Sequence, residues 1–264
     1  MMRKKNAKSY LRGFLKIAPL SHALWRSVEA LSFGQVDYKS PVLDLGCGFG
    51  EFAGVVFGRI EMGIDINRKE LTQALRGKKY KTTRWADARA LPFKNNSYST
   101  VVSVSALEHI EEAEKVTFEA SRVLKKGGIF AFSVVTTKLY DNLLIPKICN
   151  FLGLRRLGDK YFKLHDLAFR HVNLRPVEWW IKQLKKANFE IIRQEGTISP
   201  TLLRLHEIFL ISAFPSQFWK LFFGKRLIMF ADLRSSVLPL FFSRFVYIDK
   251  DSDINVFFVV RKKS

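Results

Sequence analysis

The sequence predicts an α/β fold in which helices cover both faces of a mostly parallel β-sheet. Short apolar runs that suit buried strands alternate with segments of helical length between residues 41 and 135. The first apolar run ends in a glycine-rich turn, as a strand does when it leads directly into a helix. With 264 residues, 48% of them hydrophobic, the chain has enough apolar material for a sizeable core.

The first half of the chain supplies the elements of this sheet in order. Residues 42–45 are a short apolar run closed by glycine, which is typical of a buried parallel strand. Residues 51–59 suit the helix that follows, and residues 62–66 suit a second strand. A helix over residues 68–76 and a strand over residues 82–85 continue the alternation.

The centre of the sheet is predicted at residues 98–104, "YSTVVSV", the most β-branched run in this half. A helix over residues 108–124 follows. Its end is predicted at Lys125-Lys126-Gly127-Gly128, because cations favour the last turn of a helix and glycine favours the position beyond it. Residues 129–135 then form the next strand.

The alternation breaks after residue 135. Residues 136–172 are predicted to be an irregular, basic insertion, followed by a helix over residues 175–187 and a strand over residues 189–193. The closing strand is predicted at residues 254–261, after a long stretch rich in phenylalanine.

These elements divide the chain into an amino-terminal basic helical segment, residues 1–40, and a domain over residues 41–264. The domain carries insertions at about residues 136–174 and 196–253, which we interpret as a substrate lid or a membrane-facing region. The amino-terminal segment reads as an amphipathic helix, with an apolar side and a basic side. The apolar side comprises Tyr10, Leu11, Phe14, Leu15 and Ala18, and the basic side comprises Lys8, Arg12 and Lys16.

Charge and cysteine content limit the partners and the compartment. The net charge is +20, and the central residues 41–135 are nearly neutral while both flanks are strongly basic. Basic flanks suit an anionic partner such as a lipid phosphate or a nucleic acid, although they also serve general solubility. Two cysteines form no disulfide or zinc framework, which favours a reducing compartment.

Targeting signals at the amino terminus are weak. Charges interrupt its apolar residues, so a secretory signal peptide is not expected, while the lack of acids before Glu29 leaves a mitochondrial presequence open. No apolar run reaches the ~18 residues of a membrane span. We expect a cytoplasmic protein with peripheral contact at the inner face of a membrane.

The sequence "PVLDLGCGFGE" at residues 41–51 places three glycines, which have no side chains, directly after the first strand. Its spacing is Gly-x-Gly-x-Gly, whereas the dinucleotide-binding fingerprint requires a glycine where this chain has Glu51. Glu51 and Asp44 repel a pyrophosphate, but they tolerate a cationic or zwitterionic ligand end. S-adenosylmethionine has such an end, with an amino-acid moiety and a sulfonium.

Later positions support an adenosine-containing cofactor. Asp65 ends the second strand twenty-one residues after Asp44, close to the spacing at which an acid accepts both ribose hydroxyls. Ile66 is placed to lie against the adenine, and Asp87, after the third strand, is placed to accept the adenine amino group. Each acid has a structural alternative, because Asp65 and Asp87 also suit helix or turn caps.

The motifs "VLDLGCGFG", "GIDI", "ADARALPF", "YSTVVSVSALEHI" and "RVLKKGG" resemble those of class I S-adenosylmethionine-dependent methyltransferases. The closest resemblance is to the type 11 group, which includes ubiquinone and menaquinone methyltransferases, and it covers about residues 40–135. It implies a Rossmann-like, three-layer α/β/α fold with a seven-stranded, mostly parallel sheet whose last strand runs antiparallel, plus helical insertions. Asn188 departs from the family, which usually has glycine there.

The resemblance also implies roles for individual residues. The glycine loop is expected to hold the methionine end of the cofactor, with Cys47 as a small filler and not a nucleophile. Asp65 is expected at the ribose, and Asp87 with Ala88 at the adenine. The full set expected at the cofactor is Asp44, Gly46, Cys47, Gly48, Gly50, Asp65, Ile66, Asp87, Ala88, Ser103 and Glu108.

Two related classes fit the motifs poorly. An amino-group methyltransferase acting on bases carries Asn/Asp-Pro-Pro-aromatic where this chain has Ser103-Val-Ser-Ala106. Metal-binding relatives carry Glu-x-x-Glu-His, and Ser105 stands here in place of the first glutamate, so we expect no metal.

His109 follows the predicted central strand and is the first candidate for a general base acting on a hydroxyl or phenol, with a packing or capping role as the alternative. Glu108 suits either substrate orientation or helix capping. His171, in the first insertion, is the second catalytic candidate.

The phenylalanine-rich insertion indicates the kind of acceptor. Its aromatic residues alternate with cations, which suits an interface between hydrocarbon and phosphate and favours a small, apolar or lipid-linked acceptor at an anionic membrane surface. A lid with its own small core is the structural alternative. An RNA methyltransferase and a catalytically inactive partner subunit remain open, with nucleic acid the less favoured partner. The aromatics are Phe209, Phe214, Phe218, Trp219, Phe222, Phe223, Phe230, Phe241, Phe242 and Phe245, and the cations are Lys220, Lys225, Arg226, Arg234 and Arg244.

Overall fold

The structure is a computed structural model that describes residues 5–172, 174–223 and 228–263, and the side chains of residues 211–218 and 220–223 lie outside that description. Seven strands form one sheet in the order β3-β2-β1-β4-β5-β7-β6. All neighbouring strands run parallel except at β7, which is antiparallel to β5 and to β6. The strands are β1 Val42–Leu45, β2 Ile60–Asp65, β3 Tyr80–Trp85, β4 Tyr98–Val104, β5 Leu124–Val135, β6 Phe189–Gly196 and β7 Asn255–Lys262.

Helices cover both faces of the sheet, as the sequence predicts. Adjacent residues of one strand belong to different core clusters, Val101 to one and Val102 to the other, because successive side chains point to opposite faces. One cluster lies against α1, α2, α3 and α10, and the other lies against α5 and α9. The helices are α1 Ala7–Leu15, α2 Leu20–Phe33, α3 Glu51–Val56, α4 Arg68–Arg76, α5 Ala113–Val123, α6 Lys138–Asn142, α7 Leu144–Phe151, α8 Arg155–Phe169, α9 Val177–Lys186, α10 Pro200–Phe223 and α11 Ala231–Phe242.

The α/β class and the seven-stranded sheet with its antiparallel closing strand are confirmed. The predicted helix over residues 108–124 begins too early: Leu107–His109 is a 3₁₀ turn, and α5 starts at Ala113 after Glu112 in the left-handed conformation. Helix α5 ends at Val123, within one residue of the predicted end. Residues 125–128 belong to β5, which begins at Leu124 and not at the predicted residue 129, and which has an irregular register against β4.

The first insertion is helical and not irregular. The stretch predicted as a loop after residue 135 contains α6, α7 and α8. Many apolar side chains of α7 and α8 are exposed. These helices therefore lack the single buried apolar face by which a surface helix is usually predicted from its sequence. In the described part of the chain, no helix has both the length and the apolar character needed to cross a membrane.

The amino-terminal helices are part of the core. The predicted apolar side of α1 is buried at Tyr10, Leu11, Phe14 and Leu15, and it packs in the same cluster as the sheet. Helix α2 is buried along most of its length. Both insertions begin at the same edge of the sheet, since β5 and β6 run in the same direction and each leads into an insertion.

A buried carboxylate joins α2 to the sheet. Glu29 is fully buried, and its Oε1 accepts hydrogen bonds from Ser105 Oγ (2.5 Å) and Ser133 Oγ (2.7 Å) just beyond β4 and within β5. Its Oε2 lies 2.7 Å from an Arg26 guanidinium nitrogen. Asn255 Nδ2 of β7 is 3.5 Å from Oε1. One side chain of α2 therefore holds the ends of three strands.

Replacing this carboxylate is expected to destabilise the fold. Glu29→Ala leaves Arg26 and two buried hydroxyls without their acceptor, so the free energy of unfolding should fall by ~3–5 kcal/mol in urea denaturation. Glu178→Ala, which removes an exposed helical glutamate, is the control and should change it by less than ~0.5 kcal/mol. Equal effects of the two substitutions contradict the role given to Glu29.

Candidate functional site

The glycine loop lies between β1 and α3, at the carboxyl edge of the sheet. Gly46 and Gly50 both have a φ of 71°, in the left-handed region that favours glycine. A Cβ on Gly46 would stand 2.7 Å from Ala106 Cβ, and one on Gly50 would stand 2.8 Å from a Tyr80 ring carbon. The bare backbone is thus required both by conformation and by close packing.

The loop is tied to the end of β2. Asp65 Oδ2 accepts a hydrogen bond from Gly48 N, and Asp65 Oδ1 accepts one from Asn67 N, both at 2.8 Å. Cys47 N donates to Ile64 O at 2.9 Å. The structure therefore brings Asp65 beside the glycine loop, although its role at a ribose stays a prediction. The cap of α4 is Asn67 and not Asp65.

Asp44 is buried directly behind the loop. Its Oδ2 accepts a hydrogen bond from Tyr80 Oη at 2.7 Å. Burial raises the pKa of Asp44 to about 7, with the nearby Asp65 acting in the same direction and Tyr80 and Arg26 opposing it. A cation bound beside Asp44 would lower this pKa and favour the ionised carboxylate.

Apolar side chains are exposed next to this edge. Ile66 is 70% exposed and Trp85 is 55% exposed, and Trp85 Nε1 donates to Ile66 O at 2.9 Å. The guanidinium of Arg68 lies 4.5 Å from the Trp85 ring. Ile66 was predicted from the sequence and Trp85 was not, although Trp85 offers a flat surface at the ends of β2 and β3.

The carboxylate of Asp87 is bound by Arg89, two residues further along the same turn. Arg89 contacts both carboxylate oxygens, with the shortest distance 2.7 Å, and Arg89 N donates to Asp87 Oδ1. The Arg89 hydrogen bonds lower the pKa of Asp87. The capping alternative for Asp87 is thus present, and the adenine role stays a prediction, as it does for the neighbouring buried Ala88.

Two predicted cofactor residues have internal roles. Ser103 is fully buried, and its hydroxyl donates to Leu45 O at 2.9 Å, so we leave Ser103 out of the proposed binding set. Burial raises the pKa of the Cys47 thiol, which suits a filler better than a nucleophile.

Glu108 and His109 form the turn after β4. Glu108 is 1% exposed, and among the described residues neither of its carboxylate oxygens has a hydrogen-bond partner. Burial raises the pKa of Glu108 to about 8. Desolvation lowers the pKa of His109, while its Nδ1 lies 3.0 Å from Arg170 O. A carbonyl only accepts, so Nδ1 carries the proton and Nε2 keeps its lone pair.

His171 lies directly against His109. The two rings stack with centroids 5.6 Å apart and an angle of 11° between their planes. Burial lowers the pKa of His171 to about 4, the His109 charge acts in the same direction, and Asp166 opposes both. The two catalytic candidates therefore lie in contact. Arg170, the residue before His171, is 61 residues from His109 in the sequence.

All five histidines of the chain fall in one succession of aromatic contacts. His22 contacts His206, Phe169 connects His206 to His165, and His171 follows before His109. No local sequence pattern connects α2 with α8 and α10, so this succession could not be predicted. Arg26 was also missed: it lies on α2, and its charge reaches Asp44 and Glu108.

A cavity of about 530 Å³ lies elsewhere, at the amino-terminal edge of the sheet. Pro41, Glu61 and Tyr98, which lie at or next to the starts of β1, β2 and β4, line it. It does not include the glycine loop or His109, so we do not assign it to the reaction.

Comparisons with known proteins agree with the motifs. Residues 43–132 match the family described as "Methyltransferase domain". An uncharacterised protein of Methanocaldococcus jannaschii is 38% identical over 171 residues, which are 59% of this chain and 64% of that protein. The demethylmenaquinone methyltransferase of Tropheryma whipplei is 31% identical over 184 residues, which are 62% of this chain and 77% of that enzyme.

Solved structures show the same fold. An S-adenosylmethionine-dependent methyltransferase from Thermotoga maritima superposes with a TM-score of 0.60, covering 92% of each chain at 18% identity. At this identity the likeness supports the architecture alone.

Asp44 is expected to make stability depend on pH. Its pKa is raised from 3.8 to about 7 on folding, so its contribution to stability is fully present below pH ~4 and is lost as the pH rises through ~7. Asp44→Asn keeps an acceptor for Tyr80 but does not titrate. Urea denaturation should therefore show Asp44→Asn gaining ~1–3 kcal/mol over the natural chain between pH 5 and pH 8. A difference independent of pH contradicts this assignment.

Proposed function

This chain belongs to the S-adenosylmethionine-dependent methyltransferases, and we propose that it methylates an oxygen or carbon of an apolar or lipid-linked acceptor at a membrane surface. The observation that carries the proposal is the apolar surface of the insertions, which rise from the same edge of the sheet as the glycine loop. The relative from Tropheryma whipplei, named for a quinone substrate, supports an acceptor of this class.

The residues at the loop fit the cofactor that the family uses. When bound, S-adenosylmethionine supplies an electrophilic methyl carbon on a positively charged sulfur. Asp44 provides the anion for a cationic group, and the part-buried Arg26 provides the cation for a carboxylate. The glycine loop would offer its backbone to the cofactor, and a side chain at Gly46 would disturb the loop by meeting Ala106. Asp65 and the exposed pair Ile66 and Trp85 suit the ribose and the adenine.

His109 is the proposed base. Because Nδ1 donates to Arg170 O, Nε2 carries the lone pair that would accept the proton of an acceptor hydroxyl. The lowered pKa keeps the ring neutral near pH 7, which a base requires. The stacked His171 restricts the orientation of the His109 ring.

The first insertion exposes large apolar side chains on a basic helix pair. Phe151 is 90% exposed and Leu167 is 76% exposed. Lys147, Lys160 and Lys163 are exposed on the same two helices. The exposed apolar residues here are Ile145, Ile148, Phe151, Leu152, Leu154, Leu157, Leu164 and Leu167.

Some aromatic side chains of the second insertion pack against one another, and others are exposed. Phe242 packs edge-on against Phe209 and contacts Phe245, as expected for a lid with its own core. Phe230 and Phe241 are 71% and 61% exposed, as expected for contact with hydrocarbon. Trp219 is also exposed. The side chains of Phe214, Phe218, Phe222, Phe223 and Lys220, and all of Lys225 and Arg226, lie outside the described residues.

The acceptor class is tested by following the methyl group. We expect protein supplied with methyl-tritiated S-adenosylmethionine to label a lipid extract containing demethylated quinols and not to label total RNA. His109→Gln should lower turnover ~100-fold or more while the Kd for S-adenosylhomocysteine stays unchanged. Asp44→Asn should instead weaken that Kd. Label found in RNA alone, or unchanged turnover in His109→Gln, contradicts the proposal.

Membrane contact is tested by flotation with anionic phospholipid vesicles. Replacing Phe151 and Phe241 together by serine should lower the partition coefficient at least ~10-fold, because each ring contributes ~1 kcal/mol or more on insertion. Phe118→Ser on α5, where the ring is 45% exposed, is the matched control and should leave partition unchanged. Equal loss in both variants, or no binding by the natural chain, rejects the membrane surface.

A further inference from the structure

The end of α8 gathers three metal-ligating side chains. Asp166 Oδ1 lies 3.4 Å from His171 Nδ1 and 3.9 Å from His165 Nδ1, and the three atoms all lie within 4.8 Å of one another. The cluster forms because Arg170 adopts the left-handed conformation after α8, with His171 N donating to Asp166 O at 3.0 Å. This turn returns His171 to the helix that carries the other two residues.

These three atoms are buried without hydrogen bonds. The side chains of His165 and His171 are only 4% and 6% exposed. Within the described ranges, neither Nδ1 atom nor Asp166 Oδ1 has a partner in hydrogen-bond geometry. Buried polar atoms are rarely left in this state, because each one loses its hydration without compensation. A convergent ligand supplies what they lack.

We propose that His165, Asp166 and His171 bind one divalent transition-metal ion, with Zn²⁺ the best match. Two imidazoles and one carboxylate suit Zn²⁺ better than Mg²⁺ or Ca²⁺, which prefer oxygen ligands. Ligands of a tetrahedral Zn²⁺ stand about 3.3–3.5 Å apart. The 3.4 Å between Asp166 Oδ1 and His171 Nδ1 fits this value, and His165 has to move closer when the ion binds. Three protein ligands leave a coordination position for water or another group.

The surroundings favour a cation at this point. Tyr140 Oη donates to Asp166 Oδ2 at 2.7 Å, which directs Oδ1 towards the histidines, as outer-shell partners of metal ligands commonly do. The ion would also lie at the carboxyl end of α8, where the helix dipole favours positive charge. The sequence-based expectation of no metal considered the Glu108-His109 motif alone, and the proposed site lies outside that motif.

Zinc binding to the untagged full-length chain, stripped with chelator, tests the site by calorimetry and elemental analysis. The natural chain should bind one Zn²⁺ and gain thermal stability, with no response to Mg²⁺. Asp166→Asn should weaken binding by ~100-fold or more and abolish the Tm increase. Asp159→Asn, which removes an exposed acid from the same helix, is the matched control and should behave as the natural chain.

Two further measurements test the site even if Asp166→Asn fails to fold. Tyr140→Phe leaves the ligands in place and should weaken Zn²⁺ binding ~10-fold. Co²⁺ in the natural chain should give the intense visible absorption of four- or five-coordinate cobalt. Equal Zn²⁺ affinity in the natural chain and Asp166→Asn, no effect of Tyr140→Phe, or a Co²⁺ spectrum like that of the ion in buffer would each overturn the site.

Discussion

The buried carboxylate of Glu29 is the interaction on which the rest of the site depends. It reaches from α2 to residues at the ends of β4, β5 and β7, and it orients Arg26. It adds a buried polar contact to the apolar packing that holds the amino-terminal helices against the sheet. The same contact brings the Arg26 charge near Asp44 and Glu108, so a fold-stabilising contact also affects the electrostatics beside the glycine loop.

The loop itself is built from groups that disfavour the unliganded fold. Asp44 and Glu108 are buried acids whose pKa values are raised to about 7 and about 8, so each costs stability when ionised. Three glycines with positive φ add conformational entropy to the unfolded chain. Such costs are reasonable where a cationic ligand offsets them on binding. The arrangement thus favours a site that is completed by its ligand.

Local patterns in the sequence predicted the sheet and the loop well. The β-branched run at Tyr98–Val104 and the glycines after Leu45 are signals that neighbouring residues carry by themselves. The start of α5 was missed because left-handed residues at Ser105 and Glu112 have no glycine or asparagine to mark them. The early start of β5 was missed because the register against β4 shifts between Leu124 and Ile129, which adds residues to the strand that no local pattern marks.

The parts of the site that sequence analysis missed are those made by distant contacts. Tyr80 binds Asp44 from another strand, and His171 meets His109 only because α8 turns back at Arg170. No spacing rule connects such positions in one sequence without an alignment. The unpartnered acid and histidine atoms became visible only when the fold showed that they are buried.

The exposure of apolar side chains helps to distinguish among the partners that the net charge allows. A net charge of +20 by itself fits solubility, nucleic acid or lipid equally well. A charged surface that serves solubility would have its large apolar residues inside, yet Phe151, Leu167 and Phe230 are among the most exposed side chains of the insertions. Single-stranded nucleic acid is bound by aromatic rings that stack on bases, whereas the exposed residues of α7 and α8 are chiefly aliphatic. Aliphatic side chains among lysines fit the boundary between hydrocarbon and phosphate, which is why the lipid surface is the proposal that accounts for both the charge and the exposure.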